Sequence, residues 1–582
     1  MIILGLNAYH PDASVALLRD GEVVWAAEEE RYSRIKHTSG FPVLALQACL
    51  KENQIDPAEI QVVAISKNPR ANLLRKMLYV FSKRPSGTLL FDRLKAFKRS
   101  SEFQKDFSDA LEGSAGKLKA RFIHVEHHEA HAASSFYMSG YDKSAFVTLD
   151  GLGDFASASW GLGEENRLEI FDRVFFPHSA GFFYTAGTQF LGFHHFGDEY
   201  KVMGLAGYGK PTYLEDMRKI VQLKPKGQFE LNLKYFVHQI GKSRVRWEGG
   251  APQQDILASP EWGRLFGFPR SPDGPLIQRD FNLAASLQAV LEEIYFHILN
   301  HVYHQTKTEY LCLAGGVAFN SVANGKITRQ TPFKHVYIQP AAGDAGTAIG
   351  AAAYAARALC GELRRFVMNH ALLGTQASDE SIRTLLQARR IPFEYLSEQE
   401  LIRKTVDVID RGGVVGWFQG RMEFGPRALG NRSILADPRR SDIKDILNRK
   451  IKHRETFRPF APAVPVERAN EFFEMDCEES PFMLKVFPVR QSKRGIIPAV
   501  THVDGTGRVQ TVSRNAHPLF WELLTVFGEK TGVPILLNTS FNEHEPIVCT
   551  PEEALECYLK TKMDVLVIGR FYLQRSSPSH GV

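Results

Sequence analysis

The sequence predicts an α/β protein of two domains, the larger of them built on a duplicated unit. Three observations carry that reading. At 582 residues the chain is longer than one hydrophobic core supports. A three-stranded plan occurs twice, near residues 2–27 and again near 145–174. Elsewhere, short apolar runs that end at glycine-bearing loops alternate with stretches of helical period. An apolar content of 44% and a charged content of 23% fit a globular chain of this kind.

In the first copy of the repeated plan, residues 2–6 are apolar and end at Asn7. Residues 14–18 follow, then Asp20-Gly21, then residues 23–27. Asp-Gly between apolar runs predicts a hairpin. In the second copy, residues 145–149 end at Asp150. Residues 156–162 follow, then Glu164-Glu165-Asn166, then residues 168–174. Asn7 and Asp150 each precede an Ala-Ser pair by six residues, so the two copies read as an internal duplication. Duplicated units of this sort, each followed by helices, are the plan of actin-like ATPase folds. Helical period appears at 43–53 and across 280–306, through Leu283, Ala284, Leu287, Val290, Leu291 and Ile294. Residues 311–314 predict a strand that opens through Gly315-Gly316 towards Asn320. Residues 336–338 predict another, followed by a loop at 340–346 and an Ala/Gly helix at 347–357. Strand, glycine loop and helix N-terminus together receive phosphate, because the free N–H groups point outward. The boundaries expected are a first domain at 1–360, a connector with the first helices of the second domain at 361–411, and a second domain at 412–582.

Charge and composition narrow the function. The net charge of +6 is mildly basic, and the excess is local. Residues 68–105 hold ten Lys/Arg against two acidic residues. They read as a solvated helical insertion with a basic face; a second reading is a lid or docking surface for an anionic or acyl-carrier partner. Zinc-finger spacing, a helix-turn-helix signature and an aromatic RNP pattern are all missing, so no nucleic-acid partner is expected. No run of about 18 apolar residues occurs, so no membrane span is expected, and no membrane partner. Six scattered cysteines without a C-x-x-C pair, and no signal-peptide pattern at the start, predict free thiols in a reducing, cytoplasmic setting.

Two sets of residues carry chemistry. His127 and His131 form H-x-x-x-H, which puts both imidazoles on one helix face. Asp150 in T-L-D-G-L-G-D and Asp344 in P-A-A-G-D-A-G each sit beside glycines that allow close backbone approach. Two histidines and two carboxylates suit a divalent metal; the set by itself accepts iron, manganese or zinc. His124 and His128 neighbour the pair, and their phase gives them structural or solvent-facing roles. The second set lies in the second domain. Arg421, Arg427 and Arg432 follow the apolar run 414–418. Lys452 and Arg458 come next, then Arg508, and last Asn538 and Ser540 at the end of G-V-P-I-L-L-N-T-S. Arginines on glycine-bearing loops at strand ends suit a phosphate or carboxylate.

These stretches resemble one family over nearly the whole chain, the NodU/CmcH/TobZ-type carbamoyltransferases. The resemblance is carried by G-L-N-A-Y-H-P-D-A-S (5–14), E-E-E-R-Y-S-R-I-K-H (28–37), H-H-E-A-H-A (127–132), L-D-G-L-G-D (149–154), G-D-E-Y-K-V-M-G-L-A-G-Y-G (197–209), L-A-G-G-V-A-F-N-S (313–321), Q-P-A-A-G-D-A-G (339–346), G-P-R-A-L-G-N-R-S (425–433), F-R-P-F-A-P (457–462) and L-N-T-S-F-N (537–542). It implies an actin-like (ASKHA) N-terminal domain and a smaller YrdC-like α/β C-terminal domain. The activity it implies has two steps. The C-terminal domain makes carbamoyladenylate from carbamoyl phosphate and ATP, with Mg2+ accompanying the ATP. The adenylate passes internally to the N-terminal domain, where a hydroxyl of a small-molecule, natural-product acceptor takes the carbamoyl group and AMP leaves. His127, His131, Asp150 and Asp344 match the family's metal ligands, typically for iron. His10 matches its catalytic base and Lys36 a lysine that steadies developing negative charge. Gly315, Gly316 and Asn320 match the nucleotide loop. Arg427, Lys452, Arg458, Arg508, Asn538 and Ser540 match the carbamoyl-phosphate site. A homodimer is also implied. The chain departs from the family at Pro11, which separates His10 from Asp12, and at Gly207, where relatives carry proline. A tRNA-modifying threonylcarbamoyl enzyme is the alternative, and residues 68–105 are its one candidate RNA surface.

Overall fold

The computed structural model describes residues 1–83, 103–111, 118–241, 243, 245–246, 250–361 and 367–575. The chain divides into two compact units, Met1–Met368 and Asn369–Val582. Half of the basic stretch expected as a helical insertion, residues 84–102, lies outside the described residues.

The larger unit holds two five-stranded sheets. The first comprises β1 (Ile2–Asn7), β2 (Ser14–Arg19), β3 (Glu22–Glu28), β4 (Val62–Ile65) and β5 (Arg121–His124), in the order β3-β2-β1-β4-β5. The second comprises β6 (Lys143–Gly153), β7 (Ala156–Glu164), β8 (Arg167–Phe175), β9 (Tyr310–Ala314) and β10 (His335–Ile338), in the order β8-β7-β6-β9-β10. Both sheets are an antiparallel three-stranded meander extended by two parallel strands. Local chemistry explains the first hairpin. Asp20 and Gly21 both adopt positive φ, 52° and 85°, which matches the loop to the strands' twist. β6 runs past the expected end at residue 149. Its pairing with β7 is irregular between Leu149 and Gly153, and such an irregularity re-aims a side chain at a sheet end. Asp150 lies within it.

Two helices join the sheets. α1 (His127–Phe136) lies on β6 and β9, and the later helix Thr347–Cys360 lies on β1, β2 and β4. The long helix between them in sequence is α2 (Gln278–Thr306), so the last is α3. α2 covers β6 and β7 with a stripe of Leu283, Leu287, Leu291 and Ile294. α1 and α3 face each other at very short range. A methyl group on Gly350 of α3 would lie 1.8 Å from Ala130 O of α1, and one on Gly5 of β1 would lie 1.9 Å from Ala348 O. Only glycine permits either approach, and α3 continues the small face with Ala348, Ala351, Ala352 and Ala355, all fully buried.

The smaller unit is built on one mixed eight-stranded sheet. Its order is Glu394–Tyr395, Phe571–Gln574, Val565–Ile568, Val415–Phe418, Arg432–Ala436, Leu536–Ser540, Ala461–Pro465 and Gln510–Val512. Successive side chains serve opposite faces. Val565 and Val567 pack with helices Glu398–Asp410 and Pro518–Thr531, while Leu566 and Ile568 pack on the other side with Ile382, Leu386, Ala554 and Leu555. Both faces are buried, and this is why these strands read as unbroken apolar runs. Cys49, Cys312, Cys477, Cys549 and Cys557 are free thiols. Among the described residues no helix is long and apolar enough to cross a membrane.

Candidate functional site

Four elements of the larger unit converge on one point. Glu126 caps α1 through its own carboxylate, and His127 and His131 occupy that helix one turn apart. Asp150 comes from the irregular end of β6, and Asp344 from the loop after β10. His127 Nε2 lies 3.3 Å from Asp150 Oδ2 and 3.5 Å from Asp344 Oδ1. His131 Nε2 lies 3.6 Å from Asp344 Oδ1 and 3.1 Å from His127 Nε2. One ligand atom from each of the four falls within 4.8 Å of every other. Both histidines are fully buried, and Asp150 is nearly so. The loop after β1 adds His10, whose ring stacks on His127 at 4.8 Å and whose Nδ1 stands 3.7 Å from Asp344 Oδ2.

Backbone chemistry holds these groups. Gly315 takes φ 94° with Leu149 O against it, and Gly316 N–H then donates to Asp150 Oδ1 at 2.9 Å. A methyl group on Gly153 would collide with the His127 ring at 2.0 Å. Asp154 Oδ2 accepts from the backbone N–H groups of His127 and Asn68 at 3.0 and 2.8 Å. Ser14 Oγ donates to Ala345 O, and Thr347 Oγ1 donates to Asp344 O and to Ser66 Oγ. The first sheet is thereby tied to the loop that carries Asp344.

The protonation pattern follows from crowding. Burial opposes charge on His127, but the hydrogen bond to Asp150 and the charges of Asp344 and Asp150 raise it to about 9. Burial and then the neighbouring His127 drive His131 down to about 3. Burial works against ionised Asp150 too, yet His127, His131 and the Gly316 N–H hold it well below the usual range. Asp344 is pushed far up by burial and by Asp150 beside it. Burial, Lys67 and His127 push His10 well below the ordinary imidazole value. Two carboxylates this close cannot both hold a charge without a cation between them. Two imidazole nitrogens and two carboxylate oxygens aimed at one buried point fit a first-row divalent ion.

The structure sets other expected residues apart from this quartet. Asn320 caps the turn Ser321–Asn324, accepting from Ala323 N–H, and forms a reciprocal amide pair with Gln288 at 2.9 and 3.0 Å. Lys36 stands exposed beside His37. The cation that acts on His10 and Asp344 is instead Lys67, which no sequence signal marked. Asp12 adopts φ 55° and pairs with His37 at 2.8 Å. His128 is buried against Thr148 Oγ1 at 2.7 Å, and the exposed His124 bonds Lys67 O. Neither ligates the centre, as their phase predicts.

In the smaller unit the expected cations separate into two kinds. Arg421 and Arg432 are structural. Arg421 donates to Leu373 O and Gly374 O. The fully buried Arg432 donates to Gln419 O, Gly420 O, Asn431 O and Thr375 O, with its guanidinium 3.6 Å over the Phe418 ring. Arg508 is different. Burial, and repulsion from Arg427, Arg454 and Arg458, push its guanidinium well below the usual arginine range. Four mutually repelling arginines suit an anion, and Arg458 also pairs with Glu455 at 3.7 Å. Lys452 is almost fully buried and donates to Ser540 Oγ, Asn542 O and Asn542 Oδ1 at 3.2, 2.8 and 2.7 Å, so it braces the end of the Asn538–Ser540 strand. Asn538 Nδ2 donates to Gln510 Oε1 at 2.8 Å and its Oδ1 is buried with no partner among the described residues. Sequence reasoning missed Glu423. Its Oε1 gathers the N–H groups of Leu429, Asn431 and Arg432 and so shapes the loop that carries Arg427.

The family model for the carbamoyltransferase N-terminus matches residues 2–353, and the model for the C-terminus matches residues 406–575. Nodulation protein NolNO of Sinorhizobium fredii is 39% identical over 98% of this chain and 80% of its own length. Nodulation protein U of the same organism is 26% identical over 94% of each chain. The 3'-hydroxymethylcephem-O-carbamoyltransferase of Amycolatopsis lactamdurans is 33% identical over 50% of this chain and 54% of its own. Among solved structures, HypF from T. kodakarensis is 13% identical, covers 62% of this chain and 48% of its own, and aligns with a TM-score of 0.33, too low for an argument. With both halves matched and relatives spanning almost its full length, the chain belongs to the carbamoyltransferase family and is an enzyme of that kind.

Proposed function

We propose that this carbamoyltransferase is ATP-dependent and transfers to oxygen. It makes carbamoyladenylate from carbamoyl phosphate and ATP, and passes the carbamoyl group to a hydroxyl of a small natural-product acceptor. The observation that carries this is the buried His127–His131–Asp150–Asp344 quartet with His10 stacked against it. The relative from Amycolatopsis lactamdurans, by its name, carbamoylates a hydroxymethyl group, which supports the oxygen acceptor. We read the larger unit, about residues 1–360, as the actin-like transfer domain; its repeated strand order supports this. Residues 361–411 lead into a YrdC-like adenylate-forming domain at 412–582.

In the smaller unit, Arg427, Arg458 and Arg508 hold the phosphate of carbamoyl phosphate. Asn538 Oδ1, buried without a partner, accepts from the carbamoyl amide, and Ser540 lies beside it. Water displaces the phosphate, the carbamate oxygen attacks the α-phosphorus of ATP, and pyrophosphate leaves. Positive charge from four arginines offsets the charge that gathers on the phosphoryl oxygens. In the larger unit, Gly315 and Gly316 shape the nucleotide loop, Gly315 by its close approach to Leu149 O and Gly316 by its N–H on Asp150. His127, His131, Asp150 and Asp344 would hold a divalent metal, iron in the family's pattern, which supplies Lewis-acid polarisation of the bound adenylate. His10 presents Nδ1 to Asp344, so its Nε2 takes the proton of the acceptor hydroxyl. The acceptor oxygen then attacks the carbamoyl carbon and AMP leaves, its charge met by Lys67.

The test is pyrophosphate release from ATP with carbamoyl phosphate present or omitted and no acceptor added. Carbamoyl-phosphate-dependent release is the expected result. ATP turnover that ignores carbamoyl phosphate would require a different acyl donor.

A further inference from the structure

The helix Leu73–Lys83 exposes one face that the transfer reaction does not use. Its other face is fixed to the larger unit. The Tyr79 ring meets Phe155 and Phe176 edge-on at 5.8 and 5.2 Å, the Arg75 guanidinium lies 5.0 Å over Phe175, and Lys76 Nζ donates to Pro69 O. What remains outside is a single stripe of Leu73, Leu74, Met77, Leu78 and Phe81, exposed by 48, 67, 50, 53 and 79%. Their spacing puts all five on one side of the helix. Five large apolar side chains standing together in water mark an interaction surface.

Charge selects the partner. Residues 68–83 carry Arg70, Arg75, Lys76 and Lys83 and no Asp or Glu, and Arg70 and Arg75 are exposed. We propose that this helix docks the enzyme on an anionic bilayer surface, its apolar stripe inserted among the acyl chains and the exposed Arg70 at the headgroups. A short helix whose opposite face is already fixed to protein projects its stripe outward, which suits a plane better than a groove. Apolar insertion and attraction to anionic lipid add to one another at such a surface. This is peripheral contact, and it requires no spanning segment. Asn68, just before the helix, donates to the same Asp154 oxygen that caps His127.

The experiment is co-sedimentation of the full chain with vesicles of phosphatidylcholine alone, or of phosphatidylcholine with one third phosphatidylglycerol. The enzyme should sediment with the anionic vesicles. Binding should be at least about tenfold weaker to the neutral ones, and about tenfold weaker again to the anionic ones in strong salt. The double variant Leu74→Asp with Phe81→Asp should stay in the supernatant while unfolding at the wild-type temperature, which shows that its fold is intact. The proposal is overturned if the wild type ignores anionic vesicles or if the double variant sediments as well as the wild type. A concentration-dependent dimer that the double variant dissolves, without vesicle binding, assigns the stripe to a second copy and also overturns it. Capture of an acidic acyl-carrier protein without vesicle binding does the same.

Discussion

Substituting Gly350 by alanine tests whether the α1–α3 contact sets the metal geometry. The added methyl would sit 1.8 Å from Ala130 O, and contacts under 3.0 Å are essentially never tolerated. The two helices must separate by at least the difference, 1.2 Å. Ala130 lies between His127 and His131 on α1, so the displacement falls on the helix that bears both imidazoles, while Asp150 stays on its sheet. Overpacking of this kind costs about 1–3 kcal/mol of stability. Misplacing reacting groups by an ångström costs about a hundredfold in rate, and disturbing the orientation of metal ligands costs about 10–100-fold in affinity. The variant should therefore fold, bind cobalt(II) about tenfold or more weakly by spectroscopic titration, and transfer carbamoyl about a hundredfold more slowly. Carbamoyl-phosphate-dependent pyrophosphate release, the work of the other unit, should not change. A variant that binds cobalt and transfers as the wild type does would show that the close helix approach does not position the ligands.

Replacing His10 by alanine should leave pyrophosphate release without acceptor intact and lower transfer by about a hundredfold to ten-thousandfold; wild-type transfer would remove it as the base. Arg508→Ala should stop pyrophosphate release while metal content stays at the wild-type level, and a variant that still releases pyrophosphate on addition of carbamoyl phosphate would remove Arg508 from that site. Glu29 gives a pH test. Burial raises its carboxyl to about 7, although it accepts from Ala45 and Leu44 N–H. Because the folded value lies above the unfolded one near 4.5, its favourable contribution is complete below pH 4.5 and is lost as pH rises through about 7. Glu29→Gln should match the wild type in acid and gain about 3 kcal/mol over it by pH 8, seen as a difference in unfolding temperature that opens between those pH values. A difference that does not vary with pH would show that Glu29 is not buried as a neutral acid.

Periodicity and turn chemistry disclosed much of the architecture. Asp20-Gly21 marked the first hairpin, and the spacing from Asn7 and Asp150 to their Ala-Ser pairs marked the repeat that the two sheets share. Helices near 43–53, 280–306 and 347–357 stood out by the same means. H-x-x-x-H placed two imidazoles on one face before any coordinates existed. Arginine was harder to sort. Arg432 and Arg508 follow similar glycine-bearing motifs, yet one is spent on backbone carbonyls and the other faces three more arginines. That difference depends on what the fold brings within reach, from residues as distant in sequence as Thr375 and Arg427.

By itself, then, the sequence determined the residue types and their local geometry: which segments are strands or helices, which loops need glycine, which imidazoles share a helix face. Those follow from interactions over a few residues, and a few residues of sequence record them. Tertiary structure alone decided that Asp150 and Asp344 meet one helix, that Lys67 is the cation near His10 and Asp344 while Lys36 lies at the exposed surface beside His37, and that Asn320 is occupied by Gln288. It also decided that the stripe Leu73–Phe81 lies outside. Each of these depends on which distant element packs against which, and the small side chains of Gly5, Gly350 and the α3 alanines fix that packing at distances the linear order does not show.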